Sequence, residues 1–365
     1  MLSQFDIYRF RNLSSVNLSL EKSNLLVGLN GSGKTSVLEA LHLLAYGKSF
    51  RSHTIDQVIQ YDQDDLLLSA RFEGYQAGIQ RLRNGKISIR LNGKDLNRIS
   101  DISRLLPVHV VEPGSISLVE GGPAERRRFL DFTMFHVEHN YLAKHRRFTD
   151  TLKQRNALLK LNPVSQSSQL KQWSQLYAEA AWDLNEIRES LFTRYVAPCL
   201  GRCSSALFLN QAISFEYSSG CRGAQSLEGF HKLIEESFDQ DMRFKSTQLG
   251  PHRADILLKH KGKLAKDYLS RGQKKLLTYG VRLAPAMMLK EQGLPVGQIL
   301  IDDMPSELDE HSVDKVCDLL MDIDAQTVLT AVDENNTQVG IIKDRLIPKM
   351  FHVEHGSVID RLNQR

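Results

Sequence analysis

The octapeptide GLNGSGKT, residues 28–35, decides the fold. It fits GxxxxGK followed by Ser or Thr, and its surroundings are those the pattern requires. The apolar run SNLLVG (23–28) reads as a buried strand, and SVLEALHLLAYG (36–47) reads as a helix. Val37, Leu38, Leu41, Leu44 and Ala45 form its apolar stripe, and Gly47 stops it. Gly28, Leu29, Asn30, Gly31, Ser32, Gly33, Lys34, Thr35 and Ser36 are therefore the expected ATP-binding run. Gly31 and Gly33 let the backbone approach a phosphate, whose oxygens meet successive N–H groups and the helix N-terminus. Lys34 brings charge to the β and γ oxygens, and Thr35 offers its hydroxyl to Mg²⁺. A glycine-rich turn with a chance Lys-Thr is the competing reading, and the strand and helix on either side disfavour it.

A Mg²⁺ site also needs a carboxylate at the end of a neighbouring strand. QILIDD (298–303) supplies one, with Asp302 as the expected metal ligand and Asp303 as the catalytic group that orients or deprotonates the attacking water. The competing reading is a pair of acids that caps the strand and solvates a loop.

Outward from these motifs, 365 residues exceed what one hydrophobic core usually supports, so two lobes are expected. Hydrophobic residues at 41% and charged residues at 25% are ordinary globular usage. No apolar run approaches the ~20 residues that span a bilayer, so a membrane is not an expected partner. The opening MLSQFDIYRFRN alternates like a strand and has no signal-peptide pattern, and a cytoplasmic location is expected. Cys199, Cys203, Cys221 and Cys317 form no CxxC pair and read as reduced structural thiols. A net charge of +4 does not by itself indicate nucleic acid.

The pattern along the chain predicts an α/β fold. Mixed strands and a helix occupy residues 1–122, with an Asn92-Gly93 hairpin. A helical lobe runs over 123–245, interrupted by the turn-rich NPVSQSSQ (162–169), and strand-helix alternation returns over 246–365. YLAKHRRFTDTLKQRNALLK (141–160) carries Lys144, Arg146, Arg147, Lys153, Arg155 and Lys160 against one acid, Asp150. Arg126, Arg127 and Arg128 precede it. Such a stripe suits sequence-independent contact with DNA phosphates, and it reads equally well as a solvated helix face.

YLSRGQKKLL (268–277) lies upstream of LIDDMPSELDEHS (300–312), the order of signature motif, Walker B and D-loop in ABC-type ATPase heads. With GPHRAD (250–255), YRFRNL (8–13) and GGPAERRRFLDF (121–132), the chain resembles the RecF family of DNA-repair ATPases over nearly its whole length. The resemblance implies a P-loop head with an antiparallel β subdomain and an inserted helical lobe. It also implies an ATP-dependent head-to-tail homodimer, in which Ser270, Arg271, Gly272 and Gln273 reach the partner's nucleotide. Arg11 and Asn12 would lie near the adenine, Ser306, Glu307 and Asp309 would form the D-loop, and Thr330 would take the switch position. By the same resemblance the dimer binds duplex, gapped and single-stranded junction DNA. It promotes RecA loading with RecR and RecO in repair, replication maintenance and the SOS response, as a slow DNA-stimulated ATPase with ATP and Mg²⁺. Asp303 stands where many ABC proteins carry Glu, and Pro113-Gly114 where a common family form has Pro-Glu. A transporter motor, another chromosome-maintenance ATPase and a small P-loop kinase are the alternatives. A kinase leaves LSRGQ without a role.

MFHVEH occurs twice, at 134–139 and 350–355. Its two histidines are three residues apart, a spacing that splits them across the faces of a strand and suits a helix better, which makes it a poor metal site. Its mirror pairs, Met with His, Phe with Glu and His with Val, are each encodable by reverse-complementary triplets.

Overall fold

The computed structural model describes residues 1–52, 54–161, 167–208 and 213–360. The chain divides into two compact units. The first is Met1–Ile116, Ala206–Leu209 and Arg271–Arg365, and the second is Ser117–Ser205 and Asn210–Ser270.

The first unit holds two six-stranded sheets. One is built in the order Ser357–Asp360, Lys349–Glu354, Ser23–Val27, Gln326–Ala331, Gln298–Ile301, Val108–Val111. Its last five strands run parallel, and Ser357–Asp360 closes one edge as an antiparallel hairpin arm. Ser23–Val27, Gln298–Ile301 and Gln326–Ala331 are buried at every position, as strands covered on both faces must be. The second sheet is antiparallel, in the order Leu13–Ser19, Leu2–Phe10, Asp65–Phe72, Tyr75–Leu82, Ile87–Leu91, Lys94–Leu96. Alternate residues of its strands, such as Phe5, Ile7, Leu66, Leu68 and Ile79, share a core with helix Lys34–Tyr46. Asn92 and Gly93 both take positive φ at the expected hairpin.

His109, on Val108–Val111, is 2% exposed, with Nε2 3.0 Å from the Val296 carbonyl. Burial pushes its pKa down from 6.5 to about 4, so the folded ring stays neutral where the unfolded one takes a proton. The unfolded chain binds more protons between these values. The stability of this unit is therefore expected to fall as pH drops from about 6.5 toward 4, by a few kcal/mol from this residue. Denaturant titrations at pH 7 and pH 5 should show a smaller difference for His109→Phe than for the parent.

The second unit is mostly helical, with Pro123–Val137, Tyr141–Lys160, Ser167–Leu191 and Leu227–Glu236 as its longer helices besides Ala197–Leu207, whose C-terminal end belongs to the first unit. A three-stranded sheet completes it, with Asp255–His260 between Lys263–Leu264 and Ile213–Ser218. Residues 246–270, expected with the C-terminal part of the head, pack here instead. The physical reason is the full-length antiparallel pairing of Asp255–His260 with Ile213–Ser218, and a set of bonds that fix GPHRAD. Arg126 makes a two-point pair with Asp255 at 2.7 and 2.9 Å, and Arg127 donates to the Ala254 carbonyl at 2.8 Å. Arg188 donates to the Pro251 carbonyl at 2.9 Å, and Tyr177 Oη donates to that of Leu249 at 2.5 Å. Gly250 has φ 124, and a Cβ there would lie 2.0 Å from Tyr177 Oη, so only glycine fits. This lobe begins at Ser117 rather than 123. Of NPVSQSSQ, residues 162–166 lie outside the described residues.

Candidate nucleotide-binding site

Strand Ser23–Val27 delivers the chain into the loop, and helix Lys34–Tyr46 leaves it. Gly28 passes so close to strand Lys349–Glu354 that a Cβ would lie 2.1 Å from the Val353 carbonyl oxygen. Gly31 and Gly33 have φ 80 and 121, as a phosphate-wrapping turn requires. Two braces hold the loop from outside. Asn12 Nδ2 donates to the Ser32 carbonyl at 3.1 Å and Ser36 Oγ donates to Asn12 Oδ1 at 3.0 Å, while the Gly356 N–H reaches the Ser32 carbonyl at 2.9 Å.

The loop borders a cavity of about 240 Å³, lined by Asn30, Gly31, Gly33, Lys34, Thr35, Ser36, Arg51, Pro113, Asp302 and Asp303. Lys34 is 6% exposed, and its Nζ donates to the Gly28 and Leu29 carbonyls at 2.6 and 3.0 Å. Burial lowers its pKa, and Asp303 and Asp302 oppose that shift. Thr35 Oγ1 lies 3.0 Å from both carboxylate oxygens of Asp302, and Thr330 Oγ1 donates to Asp302 Oδ1 at 2.8 Å. A hydroxyl beside a carboxylate at the mouth of a phosphate loop is the hard-oxygen donor set that suits Mg²⁺.

Asp303 stands at φ 54 and ψ 41, left-handed backbone that a non-glycine residue adopts at a cost of about 1 kcal/mol or more. Its N–H donates to Thr330 Oγ1 at 2.8 Å, and Ser306 Oγ donates to its carboxylate at 2.8 Å. Burial raises its pKa, with Asp302 and Glu307 adding to the rise and Ser306 and Lys34 opposing it. Thr330 thus ties the two acids together. Of the residues expected to form the D-loop, Glu307 pairs with Lys275 at 2.5 Å, and Asp309 caps helix Glu310–Ile323 through the Ser312 N–H at 2.8 Å. Lys275 belongs to helix Arg271–Glu291, so that helix is tied to the segment that follows Asp303. The buried Tyr279 hydroxyl lies on the same helix, its pKa pushed well up by burial and then by Glu307, Asp303 and Asp302.

Beyond Ser36 and Asn12 a larger cleft of about 850 Å³ opens, lined also by Arg11, Gln57, Gln60, Tyr61, Arg83 and His355. Arg11 is largely committed within the protein. Its guanidinium holds the fully buried Glu39 at 2.6 and 3.0 Å, the Gln57 carbonyl at 2.7 Å and Ser52 Oγ at 2.5 Å. Leu29 is 76% exposed and, like Gly28 and Ser32, does not line the phosphate cavity. Arg51 and Tyr61 carry no local pattern that marks them, and His355, noticed only as part of the MFHVEH repeat, has none that ties it to the loop; only the folded register brings them there.

Ser270, Arg271 and Gly272 are exposed at the N-terminus of helix Arg271–Glu291, and Gln273 is half-buried. Among the described residues that line the phosphate cavity, none is Arg271, Gly272 or Gln273. The basic stripe divides. Arg146 and Lys153 are exposed, Lys144 is half-buried, and Arg147 is held by Asp183 and Glu179 at 3.0 and 3.3 Å. Arg155 is fully buried against Asp241 at 2.7 Å and cannot reach DNA from this position, which corrects its expected role. Arg126 and Arg127 are likewise spent on GPHRAD, and Arg128 pairs with Glu125.

The family model described as RecF/RecN/SMC N terminal domain matches residues 1–357. A protein of Pseudoalteromonas translucida named DNA replication and repair protein RecF is 33% identical over 365 residues, covering 99% of this chain and 100% of that one. The protein of that name from Shewanella loihica is 37% identical over 369 residues, with 98% of each chain covered. Among solved structures, the recombination mediator protein RecF-ATP superposes with a TM-score of 0.83 at 24% identity, covering 98% and 97% of the two chains. An SMC head bound to the C-winged helix domain of ScpA gives 0.58 at 14% identity, with 100% and 99% covered, which shows a shared fold. A phosphate loop, paired acids and GPHRAD hub in one chain, matched end to end by these relatives, make this protein a member of the RecF family.

Proposed function

We propose that the chain is an ATP-gated DNA-repair clamp. The observation that carries this is the constellation of Lys34, Thr35, Asp302 and Asp303 around one cavity, with the buried Thr330 bonded to both acids and with Lys275 and Glu307 joining the signature helix to the same strand end. Lys34 gives up its two carbonyls to take β and γ phosphate oxygens, and the backbone N–H groups of residues 31–35 take the rest. Thr35 and Asp302 hold Mg²⁺, which when bound supplies positive charge to the phosphates. Asp303, aimed by its left-handed backbone and by Ser306, orients the attacking water. One methylene shorter than glutamate, it does so at the rate of a switch rather than of a metabolic enzyme. The cleft of about 850 Å³ receives the base and ribose beside Tyr61 and His355.

The exposed Ser270 hydroxyl and Gly272 N–H stand at the N-terminus of a 21-residue helix, where a second subunit's γ-phosphate completes its ligands. Two such contacts close a head-to-tail dimer around DNA. Arg146 and Lys153 are the best-placed basic groups of the second unit for phosphates, without base-specific reading. The relatives' name, DNA replication and repair protein, supports a role in DNA repair; action at single-strand gaps, with RecR and RecO as partners for RecA loading and SOS induction, is the part of this reading that the family resemblance carries. No described helix is long and apolar enough to cross a membrane.

Light scattering with and without ATP tests the reading. Ser270→Arg should keep ATP affinity within about threefold and lose the dimer, because the bulk and charge fall on the partner's nucleotide. Asp303→Asn should keep the dimer and slow its dissociation by about tenfold or more, since hydrolysis opens it. Normal ATP-dependent dimerisation of the Ser270 variant would overturn the head-to-tail arrangement.

A further inference from the structure

The two copies of MFHVEH do not share a structure. Met134–Val137 form the last turn of helix Pro123–Val137, and Glu138 leaves it with extended backbone. Met350–Glu354 lie instead on strand Lys349–Glu354, paired in parallel with Ser23–Val27 beside the phosphate loop. Met134 is buried and Met350 half-buried, whereas Phe135 and Val137 are half-buried and Phe351 and Val353 buried. Glu138 accepts from the Asn140 N–H at 3.0 Å, while Glu354 is exposed beside His352 and His355 at 3.7 and 3.9 Å. One copy falls in each unit. A helix end and an interior strand demand different apolar periods, so no common packing role selects the same six residues twice. A shared metal role finds no support either: among the described residues no group of three His, Cys, Asp or Glu, the His352-Glu354-His355 neighbours included, is arranged so that it could hold a metal ion.

The codon mirror supplies the missing constraint. Met–His, Phe–Glu and His–Val are the first and sixth, second and fifth, and third and fourth residues of the peptide. Of the sixty-four synonymous spellings, one, ATG-TTC-CAC-GTG-GAA-CAT, is its own reverse complement. We infer that both hexapeptides are imposed by this palindrome in the gene, which serves as a binding site for a two-fold symmetric DNA-binding protein. A dimer of such a protein reads two equivalent half-sites through the major groove, and strand exchange by symmetry forces the mirror relation. The protein accepts the resulting residues at a helix end and on a half-buried strand because both places tolerate them.

The codons are the first test. His136-Val137 and His352-Val353 should both be spelled CAC-GTG, flanked by TTC and GAA with at most one departure. A CAT histidine codon or another valine codon at either centre overturns the inference. The second test is footprinting of the locus in cells of the source organism. Protection is expected over both eighteen-base runs of the native gene. Recoding four degenerate positions in each copy leaves the polypeptide unchanged and should weaken occupancy by more than about 1000-fold, since each wrong base pair costs about tenfold. A native gene with no protection at either run overturns the proposed binding site.

Discussion

Lys34→Ala is expected to weaken ATP binding by about 100-fold or more and to abolish ATP-dependent dimerisation, with little change in the melting temperature of the nucleotide-free protein. The asymmetry follows from its surroundings. Without nucleotide, Lys34 Nζ is held by two carbonyls, those of Gly28 and Leu29, and the loop that carries them is braced independently by Asn12 and Gly356. Losing the ammonium leaves the fold standing. With nucleotide, a nearly buried cation faces phosphate oxygens, and truncating one partner of such a pair costs about 2 to 5 kcal/mol. Titration calorimetry reads the affinity, and the stabilisation by saturating ATP should vanish from thermal melts in parallel. Affinity within tenfold of the parent would remove Lys34 from the phosphate site. Lys34→Arg should lose the dimer as well, because a fork cannot occupy the point-charge position that the loop encloses.

Arg155→Ala should destabilise the second unit by about 3 to 5 kcal/mol, because it strands Asp241 as a buried, unpaired charge. Both side chains are fully buried, 2.7 Å apart, and Arg155 also donates to Thr247 Oγ1 at 2.7 Å and Ser174 Oγ at 3.0 Å. The Asp241 carboxylate in turn receives the Gln248 N–H at 2.8 Å. For a unit of this size the melting transition should drop by about 10 °C. Arg155→Met combined with Asp241→Leu should recover most of the loss, since well-packed apolar replacements avoid the cost of desolvating two charges. Arg146→Ala and Lys153→Ala, on the same helix but exposed, should leave stability within about 0.5 kcal/mol. If DNA lies along this face, they should instead reduce the salt dependence of binding by about one charge each. A stable Arg155→Ala protein that loses only DNA affinity would restore the residue to the DNA surface.

The contrast between these two sites marks what the residues disclosed before folding. That Lys34, Thr35 and Asp302 meet at one cavity was legible because their placement depends on short-range order: a buried strand, a glycine turn, a helix, and an acid at the end of a second buried strand. Asp302 meets Thr35 although 267 residues separate them. The resemblance had already put Thr330 at the switch position, and the structure gives it a bond to each acid. Arg155 was not legible. Seen along the helix it looks like its basic neighbours, and its fate is set by Asp241 and Thr247, which arrive from a distant part of the chain. Arg126 and Arg127 misled in the same way, because the acid and carbonyl they serve lie in GPHRAD. Arg51 and Tyr61 had no motif to announce them, and the repeat that holds His355 does not point to the loop. The boundary of the inserted lobe was misplaced because Asp255–His260 has a strand pattern suited to either sheet, and only its register with Ile213–Ser218 decides.

The parallel sheet has a consequence for how the protein comes into being. Its phosphate-loop strand, Ser23–Val27, is synthesised well ahead of its two neighbours, Gln326–Ala331 and Lys349–Glu354. Until the ribosome has delivered them, an apolar strand and a glycine-rich loop have no flanking partners, and long-range pairing of this kind is slow. A chain interrupted anywhere before the final hairpin also lacks Gly356, the brace on Ser32. On the reading proposed above, a polypeptide that stops short of Gly356 therefore lacks the braced loop that ATP requires, and nucleotide discriminates between a chain made that far and a shorter one.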